Sequence, residues 1–197
     1  MIQALTRTTH PALAGTIPLK KHWAGRVVLV LLGSLFVALM AQISIPLPFT
    51  PVPVTGQTLA VLVVGGALGS QLGALSLLAY LAEGAIGLPV FAGHVGGWPV
   101  GPTGGYLIGF VVMAALVGRL AERGWDRTLG KSILAMILGE LALYAIAVPW
   151  LGFYVGFSRA IPLGFLPFIA GDGVKLLIAG GLFPAAWKLV GSRPSVQ

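Results

Sequence analysis

Residues 27–45 of the 197-residue chain are VVLVLLGSLFVALMAQISI, a run without a charged side chain. As an α-helix with a rise of about 1.5 Å per residue, this run is about 28 Å long, close to the ~30 Å hydrocarbon core of a bilayer. Arg26 precedes it, and no A-x-A motif of the kind that ends a signal peptide follows it. The sequence therefore predicts a first membrane-spanning helix that is retained in the protein.

The composition extends this conclusion to the whole chain. Hydrophobic residues make up 57% of the sequence and charged residues only 9%, against roughly one-quarter charged residues in soluble domains. A surface that faces water cannot be built from so few charges. We therefore expect an all-α integral membrane protein with one membrane domain, 25–191, between cytoplasmic tails at 1–24 and 192–197.

The number of spans depends on how the long apolar stretch 53–88 is divided. Residues 69–73, GSQLG, interrupt this stretch with small and polar side chains suited to a tight turn, so two helices are predicted within it. The remaining apolar segments are separated by a charged loop at 122–131 and a Pro- and Gly-containing loop at 154–162. The prediction is a bundle of six transmembrane helices, at approximately 27–45, 53–69, 72–88, 103–120, 132–152 and 167–190.

The charge distribution gives the orientation of this bundle. The net charge is +7, but the basic residues flank apolar segments, as in cytoplasmic loops, instead of forming the exposed basic face that nucleic acid requires. With six helices and both termini inside, the basic loop 119–131 is cytoplasmic, whereas five helices would place it outside. The basic residues predicted to be cytoplasmic are Arg7, Lys20, Lys21, Arg26, Arg119, Arg123, Arg127, Lys131, Lys188 and Arg193.

Apart from Arg119 and Lys188 at the cytoplasmic ends of their spans, four ionisable side chains lie within the predicted spans, where each would cost a few kcal/mol if it faced lipid. Asp172 and Lys175 are three residues apart and therefore share one face of a helix. They form either a self-neutralising structural pair or a clamp for a small polar solute, and intramembrane charges commonly mark such solute paths. Glu83 is either a site residue or a structural one, and Glu140 is expected to be structural.

Two predicted outer loops are suited to covering an outward-facing pocket. Residues 46–53 contain four prolines in eight positions, which exclude helix, and also contain Phe49. Residues 88–105, LPVFAGHVGGWPVGPTGG, combine flexible glycines with aromatic side chains such as Phe91. We predict that these loops act as lids. His94 has no second metal ligand near it in the sequence, so no metal site is predicted.

Nothing in the sequence predicts an enzyme. The absence of cysteine excludes thiolate metal sites, iron–sulfur clusters and cysteine nucleophiles, and no Ser/His/Asp set is evident. Residues 124–132, GWDRTLGKS, end like a phosphate-binding loop, but the spacing is one residue too long and no strand precedes them. Energy for uphill transport would therefore come from an ion gradient or from a partner protein.

Four blocks of the sequence carry a family pattern: AQISIPLPFTPVPVTGQTLAVL at 41–62, YLAEGAIGLPVFAG at 80–93, GPTGGYLIGF at 101–110 and PFIAGDGVKLLIA at 167–179. Together they resemble the BioY family, the substrate-capture (S) components of energy-coupling-factor (ECF) biotin transporters. The resemblance covers residues 27–190. Its most specific parts are PFTPVPVTGQT and GPTGGY.

The resemblance implies a function and a set of partners. It implies that the chain takes up biotin as its substrate from outside, in a pocket closed by the helix 1–2 and helix 3–4 loops. It also implies a multi-pass protein of the bacterial cytoplasmic membrane, surrounded by lipid and without nucleic acid. A transmembrane coupling protein and two cytoplasmic ATPases would be the partners. Only these partners would use ATP, and the chain itself would bind no cofactor.

The resemblance also suggests site residues. Asp172 and Lys175 match the family's G-D-x-x-K block, and a carboxylate beside an ammonium suits the two N–H groups and the carbonyl of biotin's ureido ring. Gln57, Tyr80 and Tyr106 lie in matching blocks, whereas Phe49, Phe91 and Glu83 are expected only from their positions in the predicted fold. Three small residues of helix 1 are expected to dock the coupling protein: Gly33, Ser34 and Ala38.

One alternative function is compatible with the sequence. Glu83, Glu140 and Asp172 would form a proton path in an ion-coupled secondary transporter of a small polar solute. Lys175 argues against a proton path, and the two halves of the chain lack the similarity that inverted-repeat transporters often show.

Overall fold

The computed structural model describes residues 12–16, 20, 22–98 and 100–191. The predicted tail 192–197, most of the predicted tail 1–24, and the basic residues Arg7, Lys21 and Arg193 lie outside the described residues.

Within the described part of the chain, seven α-helices and one two-stranded antiparallel sheet form the fold. Three short 3₁₀ turns, Leu13–Thr16, Trp125–Arg127 and Leu166–Phe168, supplement them. In chain order the elements are α1 (Trp23–Ala41), β1 (Ser44–Ile45), β2 (Val54–Thr55), α2 (Gln57–Leu68), α3 (Ser70–Ala85), α4 (Gly104–Ala121), α5 (Leu129–Val155), α6 (Phe157–Gly164) and α7 (Ile169–Gly191).

The predicted helical membrane fold is confirmed, but six full-length spans are not. Among the described residues, four helical segments are long and apolar enough to cross a membrane: Trp23–Ala41, Gly104–Ala121, Leu129–Val155 and Phe157–Val190, the last of which combines α6 and α7. The predicted second and third spans are shorter helices. At 12 residues, α2 is only about 18 Å long and cannot cross a ~30 Å hydrocarbon core alone.

The segment 154–162, predicted to be a loop, mostly belongs to helices. Gly156, at φ +85°, separates α5 from α6. Helix α6 is amphipathic: Phe157 and Ile161 are exposed, whereas Ala160 and Gly164 are buried, and each pair has the i, i+4 spacing of one helix face. The prediction was wrong because Pro and Gly were interpreted as loop signals, although this apolar periodicity was present in the same residues.

Helix α2 lies at the centre of the bundle, in contact with α1, α3, α4 and α7. Two adjacent glycines allow two of these contacts. A Cβ atom on Gly65 would lie 2.7 Å from the carbonyl oxygen of Ala114 in α4, and one on Gly66 would lie 2.4 Å from the ring of Phe183 in α7. Small residues in membrane helices permit this close packing, which replaces the hydrophobic effect between helices in lipid.

The predicted division of the stretch 53–88 is confirmed, and a single residue produces it. Gly69 has φ +87°, a conformation that favours glycine, and it ends α2 and begins α3. The carboxylate of Glu122, after α4, accepts hydrogen bonds from the Ser70 backbone N–H (2.9 Å) and the Ser70 hydroxyl. The acidic side chain therefore caps the positive N-terminal end of α3.

The small residues of α1 that were predicted to dock a partner lie inside the bundle. Ser34 is 0% exposed and Ala38 is 7% exposed, and a Cβ atom on Gly33 would lie 2.5 Å from Oγ of Ser76 in α3. These residues therefore bring α1 close to α3 and are not available to a partner in this arrangement. The exposed side of α1 carries large apolar side chains instead, including Val28, Leu31, Leu32, Leu35 and Leu39.

Two glycine-to-alanine substitutions test the packing at the α2–α3 break. A Cβ atom on Gly118 of α4 would lie 2.4 Å from backbone atoms of Gly69 and Ser70, which cannot move aside as a side chain can. We expect Gly118→Ala to destabilise the protein by about 1–3 kcal/mol. In α7, a Cβ atom on Gly181 meets nothing within 4 Å, so Gly181→Ala should be neutral or stabilising by up to about 1 kcal/mol.

Thermal unfolding of the two purified variants in the same detergent measures the difference. Equal midpoints for Gly118→Ala and Gly181→Ala would contradict the close approach of α4 to the α2–α3 break.

Candidate substrate pocket

A cavity of about 360 Å³ opens between the two connectors at one end of the bundle. Connector 1–2 comprises residues 42–56, and connector 3–4 comprises residues 86–103. Helices α2, α4, α5 and α7 supply the rest of the lining. The lining residues from connector 1–2 and the helices, together with the 3₁₀ turn before α7, are Pro51, Val52, Pro53, Thr55, Gln57, Thr58, Tyr106, Leu107, Phe110, Tyr144, Phe168, Asp172 and Lys175.

One polar cluster lines this otherwise largely apolar cavity. Lys175 Nζ donates to Asp172 Oδ1 at 3.0 Å and to Thr58 Oγ1 at 2.8 Å. The Thr58 hydroxyl donates to Asp172 Oδ1 at 3.3 Å, and the Tyr144 hydroxyl donates to Asp172 Oδ2. Asp172 is only 5% exposed. Both charges are therefore paired and hydrogen-bonded, as burial in a membrane protein requires.

The local sequence explains why these groups meet. Asp172 lies in the first turn of α7, where a carboxylate is favoured by the positive end of the helix dipole, and Lys175 follows at i+3 on the same face. Thr58 lies in the first turn of α2. Because α2 and α7 pack together with both N-termini at the cavity, their first turns bring the three side chains into contact.

Gln57 lines the cavity next to this cluster. Its Oε1 accepts from the Thr55 hydroxyl at 3.2 Å, and its Nε2 donates to the Tyr80 hydroxyl at 2.7 Å. Tyr80 does not line the cavity. It is fully buried behind the cavity wall, donates to the Val90 carbonyl at 3.2 Å and packs edge-on against Phe91, with ring centroids 5.3 Å apart. Tyr80 thus supports both Gln57 and connector 3–4.

Aromatic rings form much of the remaining wall. Tyr106 donates its hydroxyl to the Gly164 carbonyl at 2.5 Å, and its ring lies 6.3 Å, between centroids, from the rings of Tyr144 and Phe168. Phe91, from connector 3–4, lines the cavity on the other side and is 7% exposed. The arrangement provides an apolar slot with one charged, hydrogen-bonding region, a combination typical of small-molecule sites.

Most of the predicted substrate-binding residues come together here. Asp172, Lys175, Gln57, Tyr106 and Phe91 line the cavity, and Tyr80 lies directly behind it.

Phe49 and Glu83 do not line the cavity. Phe49 is 59% exposed, and its neighbours Pro51 and Val52 form the wall instead. The carboxylate of Glu83 accepts a 2.6 Å hydrogen bond from Ser34 of α1.

Glu140 occupies a separate place. It is 5% exposed, and neither of its carboxylate oxygens has a hydrogen-bond partner within the part of the chain that the structure describes. It lines a smaller cavity of about 220 Å³ between α5 and α7, which Tyr144 and Asp172 also line. Glu140 was expected to be structural, through a hydrogen bond or a contact between helices; the described residues show no such hydrogen bond, and its position between α5 and α7 leaves the helix contact.

The sequence analysis missed Thr58 and Tyr144, the two lining residues whose hydroxyl groups donate to Asp172. Thr58 directly follows Gln57 in the PFTPVPVTGQT-containing block, so its neighbours along the chain could be seen in the sequence. Its contact with α7 could not be seen there. Tyr144 is four residues after Glu140 on α5, a spacing that places both on one helix face. A search for polar side chains sharing a face with the buried acidic residues would have found it.

The fold and the cavity define a helical membrane protein that captures a small solute at one end of its bundle. The sequence model described as the BioY family matches residues 10–192, and the chain belongs to this family. The resemblance inferred from the sequence blocks is thereby confirmed.

Relatives and a solved structure agree with this assignment. "Probable biotin transporter BioY" from Pyrococcus horikoshii is 44% identical over 155 residues, which are 76% of this chain and 90% of the relative. "Biotin transporter BioY" from Thermotoga maritima is 41% identical over 153 residues, 75% of this chain and 88% of the relative. The crystal structure described as "the S-component for biotin from an ECF-type ABC transporter" matches with a TM-score of 0.75 at 27% identity, over 84% of this chain and 92% of that one.

The buried ion pair supplies a stability test. Asp172→Asn removes the negative charge beside the Lys175 ammonium, whose side chain is only 15% exposed. Leaving a buried charge without its partner can cost up to about 3–5 kcal/mol. We expect a clearly lower unfolding midpoint for Asp172→Asn, and recovery of much of it in Asp172→Asn with Lys175→Met, because no uncompensated charge then remains.

Glu140→Gln is the matched control, since it also exchanges a buried carboxylate for an amide but breaks no hydrogen bond among the described residues. Its midpoint should stay near that of the wild type. Failure of the double variant to recover any stability relative to Asp172→Asn would show that the charge balance is not what stabilises the cluster.

Proposed function

We propose that this chain is the high-affinity biotin-binding component of a membrane vitamin transporter. The observation that carries the proposal is the Asp172–Lys175–Thr58 cluster in a largely apolar cavity, in a member of the BioY family. Relatives and a similar solved structure are named for biotin. The chain is a transporter component and not an enzyme.

The chemistry of the cavity suits biotin. The ureido ring of biotin presents two N–H donors and one carbonyl acceptor. Asp172 can accept from the N–H groups, and Lys175 or Thr58 can donate to the carbonyl. The rings of Phe110, Phe168 and their neighbours suit the fused sulfur-containing ring and the aliphatic part of the valerate chain. A volume of about 360 Å³ is within the usual range of roughly 300–1,000 Å³ for small-molecule sites.

Four other residues have supporting or contact roles in this proposal. Gln57 uses one amide hydrogen to bond Tyr80, and because Gln57 lines the cavity, its second amide hydrogen can donate to the substrate. Tyr106 and Phe91 contact the substrate through their rings, and Tyr80 holds the wall behind them. Phe49 and Glu83 are not included, because the structure does not bring them to the cavity.

The proposed orientation opens the cavity to the outside. The cavity lies at the end of the bundle where α2, α4 and α7 begin. The opposite end carries basic residues at the start of α1 and the end of α4, including Arg26, Arg119 and Arg123. By the positive-inside rule this basic end faces the cytoplasm, so both termini are cytoplasmic and connectors 1–2 and 3–4 are the outer lids. The membrane is the bacterial cytoplasmic membrane.

Transport would require partner proteins. The similar solved structure is described as a component of an ECF-type ABC transporter. We propose that a transmembrane coupling protein and two cytoplasmic ATPases drive substrate release here, with ATP used only by those subunits. The exposed large apolar side chains of α1, and not its buried small residues, are then the surface that α1 offers to lipid or to the coupling protein.

An ion-coupled secondary transporter is not favoured. Such a mechanism would require Glu83, Glu140 and Asp172 to form one proton path. Glu83 bonds Ser34 at the α1–α3 contact, whereas Glu140 and Asp172 lie between α5 and α7. The structure therefore does not bring the three carboxylates into one path.

Calorimetric titration of the purified full-length chain tests the proposal. We expect tight binding of biotin and none of thiamine or riboflavin, which lack the ureido ring. Asp172→Asn and Lys175→Ala should each weaken biotin binding by about 10- to 100-fold, since each removes a hydrogen bond to a charged group.

Gln71→Met is the control, because Gln71 bonds Arg26 at the opposite end of the bundle. The absence of biotin binding by the wild type would overturn the function. Normal binding by both charge variants would instead reject the site.

The orientation has its own test. A reporter active only in the cytoplasm, fused after Gln197, should be active, because both termini are assigned to the inside. An inactive fusion of a protein that still reaches the membrane would contradict the orientation.

A further inference from the structure

Gln42, the first residue after α1, joins the end of that helix to connector 3–4. Its Nε2 group donates to the Ala38 carbonyl at 3.0 Å and, across the gap between the two segments, to the carbonyls of Val90 (3.2 Å) and Phe91 (3.3 Å). Its Oε1 atom accepts from the His94 backbone N–H at 3.1 Å. One amide side chain thus bonds three backbone groups of the connector.

The bonded segment is a small turn that forms part of the cavity wall. Phe91 and Val95 pair as an isolated antiparallel bridge, with Phe91 N–H donating to the Val95 carbonyl at 2.9 Å. Both residues line the cavity. Gly93 and His94, at φ +77° and +58°, form the tip of the turn. Gln42 itself does not line the cavity, so its bonds act on the wall and not on a bound molecule.

The turn 91–95 is also attached to α3, where the ring of Phe91 packs edge-on against Tyr80 and a Cβ atom on Gly84 would lie 2.0 Å from that ring. From α3, Tyr80 donates to the Val90 carbonyl at 3.2 Å, and the Gly84 carbonyl accepts from Gly97 N–H at 2.7 Å. Both contacts lie at the base of the turn and both come from α3. Gln42 is the contact with α1, and it reaches the tip through His94.

We propose that Gln42 is a positioning residue that latches the turn 91–95 to the outer end of α1 and thereby holds this wall of the substrate cavity in place. The turn then moves with α1, and substrate escapes only after the bonds of Gln42 break. This inference rests on the proposed function, because it concerns the release of the substrate proposed above.

The chemistry of the latch requires an amide. Val90 and Phe91 present carbonyl oxygens, which need a donor, whereas His94 presents an N–H group, which needs an acceptor. Gln42→Met keeps the length of the side chain but removes both functions. Gln42→Glu keeps the acceptor for His94 but places a carboxylate oxygen against the two carbonyl oxygens. Both variants should therefore open the latch.

The test measures the release of labelled biotin from the full-length chain in lipid nanodiscs, after a chase with excess unlabelled biotin. We expect Gln42→Met and Gln42→Glu to release biotin about tenfold faster than the wild type, as expected for the loss of one or two net hydrogen bonds. The association rate should change less than the release rate. Gln71→Met, the same substitution at the other end of the bundle, should release biotin at the wild-type rate.

Hydrogen–deuterium exchange without ligand gives a second readout that a general loss of stability would not reproduce. Backbone amides of the turn 91–95 should exchange faster in both Gln42 variants, whereas those of α4 and α5 should not change. If Gln42→Met unfolds, Gln42→Glu decides the question.

Unchanged release together with unchanged exchange in the turn would overturn the latch. A wild-type chain that binds no biotin would overturn the proposed function instead, and the exchange comparison would still decide whether Gln42 holds the turn.

Discussion

The short length of the central helix determines where this protein can hold a solute. Helix α2 is packed against four other helices and is only about 18 Å long, which is shorter than a ~30 Å hydrocarbon core. Gly69 fixes its other end, where α3 begins at once and Glu122 caps the new helix. The cavity lies at the end of the bundle where α2 begins, and the two connectors supply part of its wall. A full-length α2 would occupy this space with its own backbone and side chains.

The polar groups of the cavity follow from the same geometry. An acidic residue and a basic residue within a membrane helix are tolerated only where they are paired and hydrogen-bonded. The Asp172–Lys175 pair meets this requirement through Thr58, which can reach it only because α2 begins at the depth of the first turn of α7. In the proposed complex the substrate joins a hydrogen-bond network in which Asp172, Lys175 and Thr58 already bond one another. The resting site is therefore stable without ligand, and binding must compensate for rearranging existing bonds.

The connectors combine a flexible composition with specific attachments. Connector 1–2 is closed by the β1–β2 pair, in which Ser44 faces Thr55 and Ile45 faces Val54, and Thr50 donates to the Leu163 carbonyl at 2.8 Å. Connector 3–4 is attached to α3 and, through Gln42, to α1. Apart from this strand pair, side-chain-to-backbone hydrogen bonds hold these segments, because their prolines and glycines disfavour helix. These hydrogen bonds can break one at a time, which suits a cavity wall that must admit and release a solute.

The class of protein, the division of the stretch 53–88 near Gly69 and the charged pair of α7 could be predicted from the sequence alone. These properties depend on composition, on apolar run length and on spacing within one helix, all of which are local. The structure was needed to show that α2 and α3 are short and that Gly33 and Ser34 of α1 face α3. It was also needed to show that Thr58 and Tyr144 join Asp172, and that Glu83 and Phe49 stay outside the cavity. Which side of a uniformly apolar helix faces its neighbours is not visible in a sequence without amphipathic contrast. Contacts between residues more than a hundred positions apart, such as Thr58 with Lys175, depend on how the helices pack.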